Sequence, residues 1–404
     1  MLWPLVVLAA ALAVGGILLV ANGDRGGDPD GRGDDGATAT TTGADPERPQ
    51  LDRVGSEEVE DGAPLAVGDV PATYRITYRV RLPGAEPTTE VVTVRRPFES
   101  RVEVHSGARP AGDPTSVQES SFGMLAVASA TQEPAVTVVG PAVASPDLRF
   151  DVALPAALEH GLLEPRERRR VAGRTCQVYR AGTSVTAGQL VAPSDEEHAD
   201  ACFDADGLLL EEWWITEGRT VRQRVAVAVE TGVRVDDSIF ELPREPTVPA
   251  DEGGGGMRQL AAGSAPPGEF FEVDAPPDGM SYRGRFAVVP TQPHQFVDPA
   301  RQGEILATTA DVWVRGPDFV AVDQGGTLGS SEVYAPDPDL PHVPVGALGE
   351  AELHVRLDRI EVRIHLSGNR FVRLYGTVPM EDLLAVARSL RRTEGSGIEF
   401  AGDG

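Results

Sequence analysis

The sequence predicts an α+β protein: an antiparallel β-rich domain with few covering helices, followed by a second, smaller antiparallel α+β domain. Three observations predict this fold class. Residues 73–82 alternate strictly between apolar and polar side chains, and a period of two is typical of a half-buried strand. Segments of the same kind recur along the chain, and turn sequences such as 204–207 and 217–218 separate them. Closely spaced strands joined by tight turns indicate an antiparallel meander.

The chain begins with an apolar segment, residues 1–21, that contains no charged side chain. A helix of about 20 residues covers the roughly 30 Å hydrocarbon core of a bilayer. We therefore expect a single-pass signal-anchor that holds the globular part outside the cytoplasm. A cleaved signal peptide is the alternative, with a small-x-small site at residues 11–13. A lipoprotein signal is excluded because its acylated cysteine would directly follow the apolar segment, and the only cysteines are Cys176 and Cys202.

Residues 22–70 connect this anchor to the first domain. They are rich in Gly, Thr, Pro and Asp and lack apolar periodicity. Segments of this composition bury too little apolar surface to offset their chain entropy. We expect a disordered acidic tether here.

Residues 71–243 form the first predicted domain. Its strands are expected at residues 73–82, 90–95, 101–105, 135–139, 175–180, 201–204, 208–216 and 220–229. Helices are expected only at residues 156–163 and around residues 118–128. Few helices are thus available to cover many strands.

Residues 244–268 contain four consecutive glycines and several prolines and are predicted to be an interdomain linker. The second domain, residues 269–393, has expected strands at residues 282–289, 311–314, 319–323, 360–366 and 371–376. It ends in a helix that begins after Pro379, with Glu381 and Asp382 at its positive end. The predicted apolar stripe of this helix consists of Leu383, Leu384, Ala387 and Leu390.

The chain has two cysteines, Cys176 and Cys202, and both lie in predicted strands. Outside the cytoplasm such a pair usually forms a structural disulfide. The alternative, a redox-active pair, normally requires the Cys-x-x-Cys spacing that is absent here. The segment between the cysteines, residues 181–200, is predicted to be a long loop.

The charge of the chain excludes several classes of partner and mechanism. The formal net charge is −26, which argues against binding to nucleic acid or electrostatic docking on anionic lipid. The chain contains no lysine. This excludes a Walker A lysine, a pyridoxal Schiff base and a Ser-x-x-Lys nucleophile.

A search for catalytic and metal-binding motifs finds none. The histidines show no His-x-x-x-His spacing, and there is no Gly-x-Ser-x-Gly sequence. The sequence Asp204-x-Asp206-Gly207 lacks the further ligands of a calcium loop and is predicted to be a hairpin turn. We therefore expect a protein without catalytic residues, metal or cofactor, although distant residues that converge in space are beyond such a search.

The remaining candidate for function is apolar surface on sheet faces. Tyr74, Ile76 and Tyr78 share one face of the first predicted strand, and Trp213 and Trp214 are adjacent in a later strand. In a sheet with few covering helices these five residues would line an apolar groove, a common form of lipid or hydrophobic-peptide site. The alternative is a core that is fully packed.

Two parts of the first domain resemble LolA-like proteins. They are residues 94–104, Val-Arg-Arg-Pro-Phe-Glu-Ser-Arg-Val-Glu-Val, and residues 173–180 followed by 202–211. Residues 372–390 of the second domain are similar to the C-terminal part of RseB/MucB-like sigma-factor regulators. The resemblance implies that the fold is a half-barrel sheet and that the protein has no catalytic activity. It also implies a partner that is an acyl chain, a lipidated protein or the outer tail of an anti-sigma factor.

Three functional hypotheses follow. The first is a non-catalytic, membrane-tethered bacterial envelope protein that binds a lipid or acyl chain, or the extracytoplasmic segment of a membrane protein such as an anti-sigma factor. The second is a structural or adhesive cell-surface protein whose sheets are fully packed. The third is an exported hydrolase.

The apolar segment at residues 1–21 generates a topological prediction. We expect the full-length protein to stay in the membrane fraction after an alkaline wash, because a hydrophobic span is not extracted by high pH as a peripheral protein is. Sequencing of the mature N-terminus provides the second measurement. An N-terminus at residue 14 or later would contradict the anchor and favour the cleaved signal peptide.

Overall fold

The structure is a computed structural model. It describes residues 51, 55–59, 65–121, 124–129, 132–138, 150–184, 189–195, 197–240, 256–289, 308–326, 340–356, 359–366, 370–397, 399 and 401. The predicted anchor, residues 1–21, lies outside these residues. Within the described ranges no helix combines the length and apolarity needed to cross a membrane.

The first sheet contains 13 strands among the described residues. In chain order they are β1 (Ser56–Val59), β2 (Thr73–Arg81), β3 (Thr88–Arg95), β4 (Glu99–Ser106), β5 (Ser116–Ser121), β6 (Met124–Ser129), β7 (Gln132–Val138), β8 (Leu163–Val171), β9 (Arg174–Ser184), β10 (Gln189–Val191), β11 (Glu197–Asp204), β12 (Leu209–Thr216) and β13 (Arg219–Thr231). They run in the order β1-β8-β9-β11-β12-β13-β2-β3-β4-β5-β6-β7, and β10 pairs with β9. The described pairings are antiparallel, as predicted, and the sheet does not close into a barrel.

The middle of this sheet curves around an apolar core. The pairings of β12 with β11, β12 with β13, and β13 with β2 each contain a register shift, and such irregularities bend and twist a sheet. Tyr78 of β2 donates a hydrogen bond of 2.7 Å to the carbonyl of Leu209 in β12, across the intervening β13. Strands two positions apart in a flat sheet are about 10 Å apart. The bond therefore indicates an inward curve.

Helix α1 (Phe150–Glu159) is the α-helix among the described residues of this part of the chain. It starts earlier than the helix predicted at residues 156–163, and β8 already begins at Leu163. Pro155 lies inside α1, where it removes a helical hydrogen bond. Burial of apolar side chains on both sides of the proline offsets this cost; the buried residues are Val152, Ala153, Ala156 and Ala157.

Two other predictions for this domain are wrong. The helix around residues 118–128 is instead the hairpin of β5 and β6, which continues the sheet from β4. The loop at residues 181–200 instead contains the end of β9, strand β10 and the start of β11. In both cases a neighbouring strand supplies backbone partners that local composition does not reveal, so tertiary pairing overrides local propensity.

A second sheet contains eight strands among the described residues. In chain order they are β14 (Gly256–Gln259), β16 (Ser281–Val289), β17 (Thr308–Arg315), β18 (Asp318–Gly326), β19 (His342–Pro344), β20 (Glu350–Val355), β21 (Ile360–Leu366) and β22 (Arg370–Gly376). Their order in the sheet is β14-β16-β17-β18-β22-β21-β20-β19. A separate pair is formed by β15 (Ala265–Val273) and β23 (Leu390–Gly397).

Helix α2 (Met380–Arg388) packs on one face of the second sheet, against β21 and β22. Glu381 and Asp382 lie in its first turn, as predicted, and Leu383, Leu384 and Ala387 are buried. The helix ends before Leu390, however, and Leu390 begins β23. The partner of β23 is β15, which starts inside the segment predicted as a linker. The same segment contains β14, which pairs with β16, so the linker prediction is wrong from residue 256 onward.

The two sheets are in contact through α1 and through the loop that joins β3 to β4. Helix α1 packs against β8 of the first sheet and β20 of the second, within one continuous apolar core. The ring of Phe98 lies 5.1 Å from that of Phe319, and Arg96 lies 3.7 Å from Asp318. The described residues of the two sheets therefore share buried apolar surface.

The predicted disulfide is confirmed: Cys176 and Cys202 are bonded, with their Cα atoms 5.4 Å apart. The bond joins β9 to β11, which are neighbours in the first sheet. Both cysteines are buried in the core cluster that contains Tyr74, Ile76 and Tyr78. The disulfide thus fixes two strands on which the curved part of the sheet is built.

Replacing both cysteines with serine should lower the free energy of unfolding by about 3 kcal/mol, because the unfolded chain is no longer constrained by a closed loop. Urea unfolding of the variant and the wild type measures the difference. Adding a reductant should lower the stability of the wild type and leave that of the variant unchanged. Free thiols titrated in wild-type protein unfolded without reductant would contradict the disulfide.

Candidate binding face of the first sheet

Tyr74, Ile76 and Tyr78 lie on β2 and face the interior of the curved sheet. Each is at most 4% exposed. They belong to one buried apolar cluster with residues of the neighbouring strands, which include Val92, Val94 and Ala226. The three predicted residues are therefore brought together, in an interior that is filled by their own side chains.

Trp213 and Trp214 lie on opposite faces of the sheet. Arg224 of β13 stands opposite both Val80 of β2 and Glu212 of β12. Because side chains alternate along a strand, Trp214 shares the face of Glu212, and Tyr78 shares the face of Val80. We call the face of Tyr78 the inner face and the opposite one the outer face. Trp214 lies on the inner face, half-buried, and Trp213 lies on the outer face, buried.

Four charged residues surround Tyr78 on the inner face. The guanidinium of Arg224 lies 3.7 Å above the Tyr78 ring and 2.8 Å from Glu90. Arg222 lies 3.6 Å from Glu90 and 3.0 Å from Glu212. We call Arg222, Arg224, Glu90 and Glu212 the ionic quartet; its two positive and two negative charges balance. Burial raises the pKa of Tyr78, so its hydroxyl stays protonated and can donate to Leu209.

Trp214 stands beside this quartet, directly opposite Arg222 on β13. Its indole Nε1 is buried and has no acceptor within hydrogen-bonding distance among the described residues. An indole N–H usually finds a partner when it is buried. The inner face therefore offers an aromatic ring with an unused donor next to balanced charges.

The outer face carries a second aromatic–ionic arrangement around Trp213. The guanidinium of Arg169 in β8 lies 4.8 Å above its ring. Arg169 also lies 3.4 Å from Glu211, and the Ser56 hydroxyl contacts both of these charged residues. The partner and the hydrogen bonds of each charge offset the cost of removing this pair from water.

The second sheet also carries buried charges, on the face away from α2. Glu361 of β21 is directly opposite Tyr375 of β22 and His354 of β20. Burial alone would raise the pKa of Glu361, but the guanidiniums of Arg373, Arg363 and Arg359 lower that pKa to about 2. The cluster is a network of matched charges that holds neighbouring strands in register.

The described part of the chain contains no group of three or more His, Cys, Asp or Glu residues that could hold a metal ion. The Asp204 side chain accepts hydrogen bonds from the backbone N–H groups of Asp206 and Leu208. This confirms the predicted hairpin turn, with the carboxylate engaged by its own turn.

The chain matches no family model and no curated protein. Among solved structures it is similar to a chain of the Pseudomonas aeruginosa MucA/MucB complex, with 14% identity over 81% of this chain and 94% of that chain and a TM-score of 0.30. A structure of MucB in complex with MucA(peri) matches with 16% identity, the same coverage of both chains and a TM-score of 0.26. A LolA superfamily protein from Nitrosomonas europaea matches over 44% of this chain and 92% of its own, with 13% identity and a TM-score of 0.20. These structures are of the LolA and RseB/MucB type that the sequence motifs resemble.

The ionic quartet is the part of the inner face that sequence reasoning missed. The sequence places three members of the quartet at positions typical of the polar face of an exposed strand: Glu90, Arg222 and Arg224. Strand register brings them to Tyr78: Glu90 is directly opposite it, and Arg224 lies between Val80 and Glu212 on the neighbouring strands. One usable signal was present in the sequence, because Arg222 and Arg224 occupy alternate positions of one strand, as Glu212 and Trp214 do of another.

The lowered pKa of Glu361 makes the native state sensitive to acid. Its stabilisation is fully present above the ordinary pKa of 4.5 and is lost as the pH falls toward the folded value of about 2. Between these two pH values the unfolding free energy of Glu361→Gln should fall less steeply with decreasing pH than that of the wild type. The two slopes should differ by up to about 1.4 kcal/mol per pH unit. Urea unfolding at a series of pH values measures the slope. Glu350→Gln, at the exposed first residue of β20, is the control and should keep the wild-type slope.

Proposed function

We propose that this chain is a non-catalytic, membrane-tethered extracytoplasmic binding protein whose first domain is a half-barrel of the LolA and RseB/MucB type. It recognises the outer segment of a membrane partner such as an anti-sigma factor; a lipid or acyl chain is the alternative ligand. The observation that carries the proposal is the curved sheet whose inner face places the half-buried Trp214 beside the ionic quartet. Such a surface combines apolar rings with polar groups, the usual composition of a recognition site.

The packing of the inner face favours a protein segment over an acyl chain. An acyl chain requires an empty apolar channel, whereas Tyr74, Ile76 and Tyr78 already fill the described interior. The quartet places charges at the remaining half-buried positions, and dehydrating them against hydrocarbon is costly. A peptide can offer backbone and side-chain groups to Trp214 and to the quartet, so it fits the surface better.

The extracytoplasmic location is supported by two independent features. Residues 1–21 are long and apolar enough to span a membrane. The Cys176–Cys202 disulfide is of a kind that persists in oxidising compartments and is rare in the cytosol. Both features fit a globular part on the outer side of a bacterial cell membrane.

One observation favours the structural or adhesive hypothesis. The buried predicted residues on β2 behave as core, and a fully packed sheet needs no ligand to account for them. The two hypotheses differ in what they require of Trp214. A binding face needs its ring for contact with a ligand, whereas a packed sheet needs it only for stability.

The two tryptophans provide a matched test. Trp214→Ala should lower the amount of peptide or lipid that copurifies with the full-length protein while costing little stability, because the ring is half-buried on the inner face. Trp213→Ala removes a fully buried ring and should cost about 3–5 kcal/mol of unfolding free energy. Native mass spectrometry of protein purified from its host measures the ligand, and urea unfolding measures stability.

The opposite pattern would overturn the binding proposal. If Trp214→Ala destabilises the protein as much as Trp213→Ala does, and neither variant changes the copurifying material, the structural hypothesis is correct. A copurifying acyl lipid that is lost with Trp214→Ala would keep the binding function and correct the proposed ligand.

A further inference from the structure

Two arginines stand in line on the outer face of β2. Because Tyr78 faces inward and side chains alternate along a strand, Arg75, Thr77 and Arg79 lie on the outer face. Arg79 is exposed, and Arg75 and Thr77 are half-buried. The backbone from Arg75 to Arg79 covers about 13 Å of extended strand. Two positive charges are thus presented along one strand, with a threonine between them.

A bulge in β13 adds apolar surface beside the middle of this row. The pairing of β13 with β2 shifts register at Val227, which is the extra residue, and Ala228 stands opposite Thr77. The side chain of Val227 is 45% exposed, and Ala228 is exposed as well. We call Arg75, Thr77, Arg79, Val227 and Ala228 the outer patch. It combines two cationic groups with apolar surface that water reaches.

The arginines of the outer patch differ from other arginines of this acidic chain. Arg174 and Arg180, for example, contact carboxylate oxygens at 2.7 and 2.8 Å. Within the described part of the chain, Arg75 and Arg79 form no ion pair, and Arg75 Nε instead donates a hydrogen bond of 3.2 Å to the Thr93 hydroxyl. Both guanidiniums can therefore pair with carboxylates that another molecule supplies.

One acidic residue, Glu230, borders the outer patch. It stands opposite Arg75 at an exposed position of β13, and the two side chains are not joined by an ion pair. At the other end, Arg79 stands between Val225 of β13 and Thr89 of β3, which are both buried and uncharged. The patch and its border therefore carry more positive than negative charge, in a chain whose overall charge is strongly negative.

We propose that the outer patch docks an extended acidic segment of a partner protein. An extended chain advances about 3.3 Å per residue, so its residues i, i+2 and i+4 form a row with the spacing of Arg75, Thr77 and Arg79. Acidic residues at i and i+4 contact the two guanidiniums, and an apolar residue at i+2 covers Val227 and Ala228. A helix is a poorer match, because it advances only about 6 Å from i to i+4.

The charge of the rest of the chain favours a short segment over a large anionic partner. The formal net charge is −26, so a nucleic acid or an anionic membrane at the patch would also meet the surrounding negative charge. A short segment contacts the patch alone. The outer patch lies on the face opposite Trp214, and the docking surface is therefore additional to the proposed inner-face site.

The test uses the full-length protein and a fluorescein-labelled peptide, Ser-Gly-Glu-Ser-Val-Ser-Glu-Gly-Ser, whose binding is followed by fluorescence anisotropy at low salt. Arg75→Glu and Arg79→Glu should each weaken binding about tenfold, because each replaces an attraction by a repulsion. Arg219→Glu makes the same charge change at an exposed arginine of β13 outside the patch. It is the matched control and should bind the peptide as the wild type does. Urea unfolding checks that the variants remain folded.

Two further comparisons test the spacing and the apolar contact. A peptide of the same composition with its two glutamates adjacent should bind about threefold more weakly, since it cannot reach both arginines in an extended conformation. Val227→Ser should weaken binding of the first peptide and leave unchanged the binding of a peptide with serine in place of its valine. This pattern identifies Val227 as the contact of the guest's apolar residue.

The inference is overturned if the wild type does not bind the peptide, or if Arg75→Glu and Arg79→Glu bind it as tightly as Arg219→Glu. It is also overturned if vesicles of anionic lipid, and not the peptide, bind the wild type and are lost with Arg79→Glu, since the patch would then contact lipid. A wild-type dimer that Arg79→Glu dissociates would assign the patch to a second copy instead. The tryptophan comparison concerns the opposite face, so either proposal can fail while the other stands.

Discussion

The inward curve of the first sheet, held by Tyr78, is the constraint on which the rest of the structure depends. Tyr78 reaches across β13 to the Leu209 carbonyl, which is possible only where the register shifts of β11, β12 and β13 bend the sheet. The same curve brings the disulfide into one core with β2. On the same face Arg224 lies over the ring of Tyr78, and Glu90 and Glu212 balance the charges of Arg222 and Arg224.

The acidic composition shapes how charges are buried. With no lysine in the chain, the side chains that pair with buried carboxylates are mostly arginines, whose planar groups also stack on aromatic rings. Arg169 on Trp213, Arg224 on Tyr78 and Arg373 on Tyr375 repeat this arrangement. In each case an acidic residue contacts the arginine as well. The repeated motif lets a strongly acidic protein carry charges inside its sheets without leaving them unpaired.

Several elements were predictable because their signal is local. The strict alternation of residues 73–82 predicts β2, and the sequence after Pro379 predicts the start of α2. The wrong predictions share one cause. The hairpin of β5 and β6 is defined by pairing with β4, and β15 and β23 pair with each other from distant parts of the chain. Local composition cannot show such a partner, since the backbone groups that it offers appear only after folding.

By itself the sequence determined the fold class, the disulfide, the hairpin turn at Asp204 and the absence of lysine chemistry, because each depends on residue identity or short spacing. Only the tertiary structure decided which tryptophan faces inward, which charges meet Tyr78 and which edge receives Ser56. A strand's alternation gives two faces but not which face is concave, and register shifts between neighbours change that assignment. The curvature of the whole sheet therefore decides which face of each strand is concave.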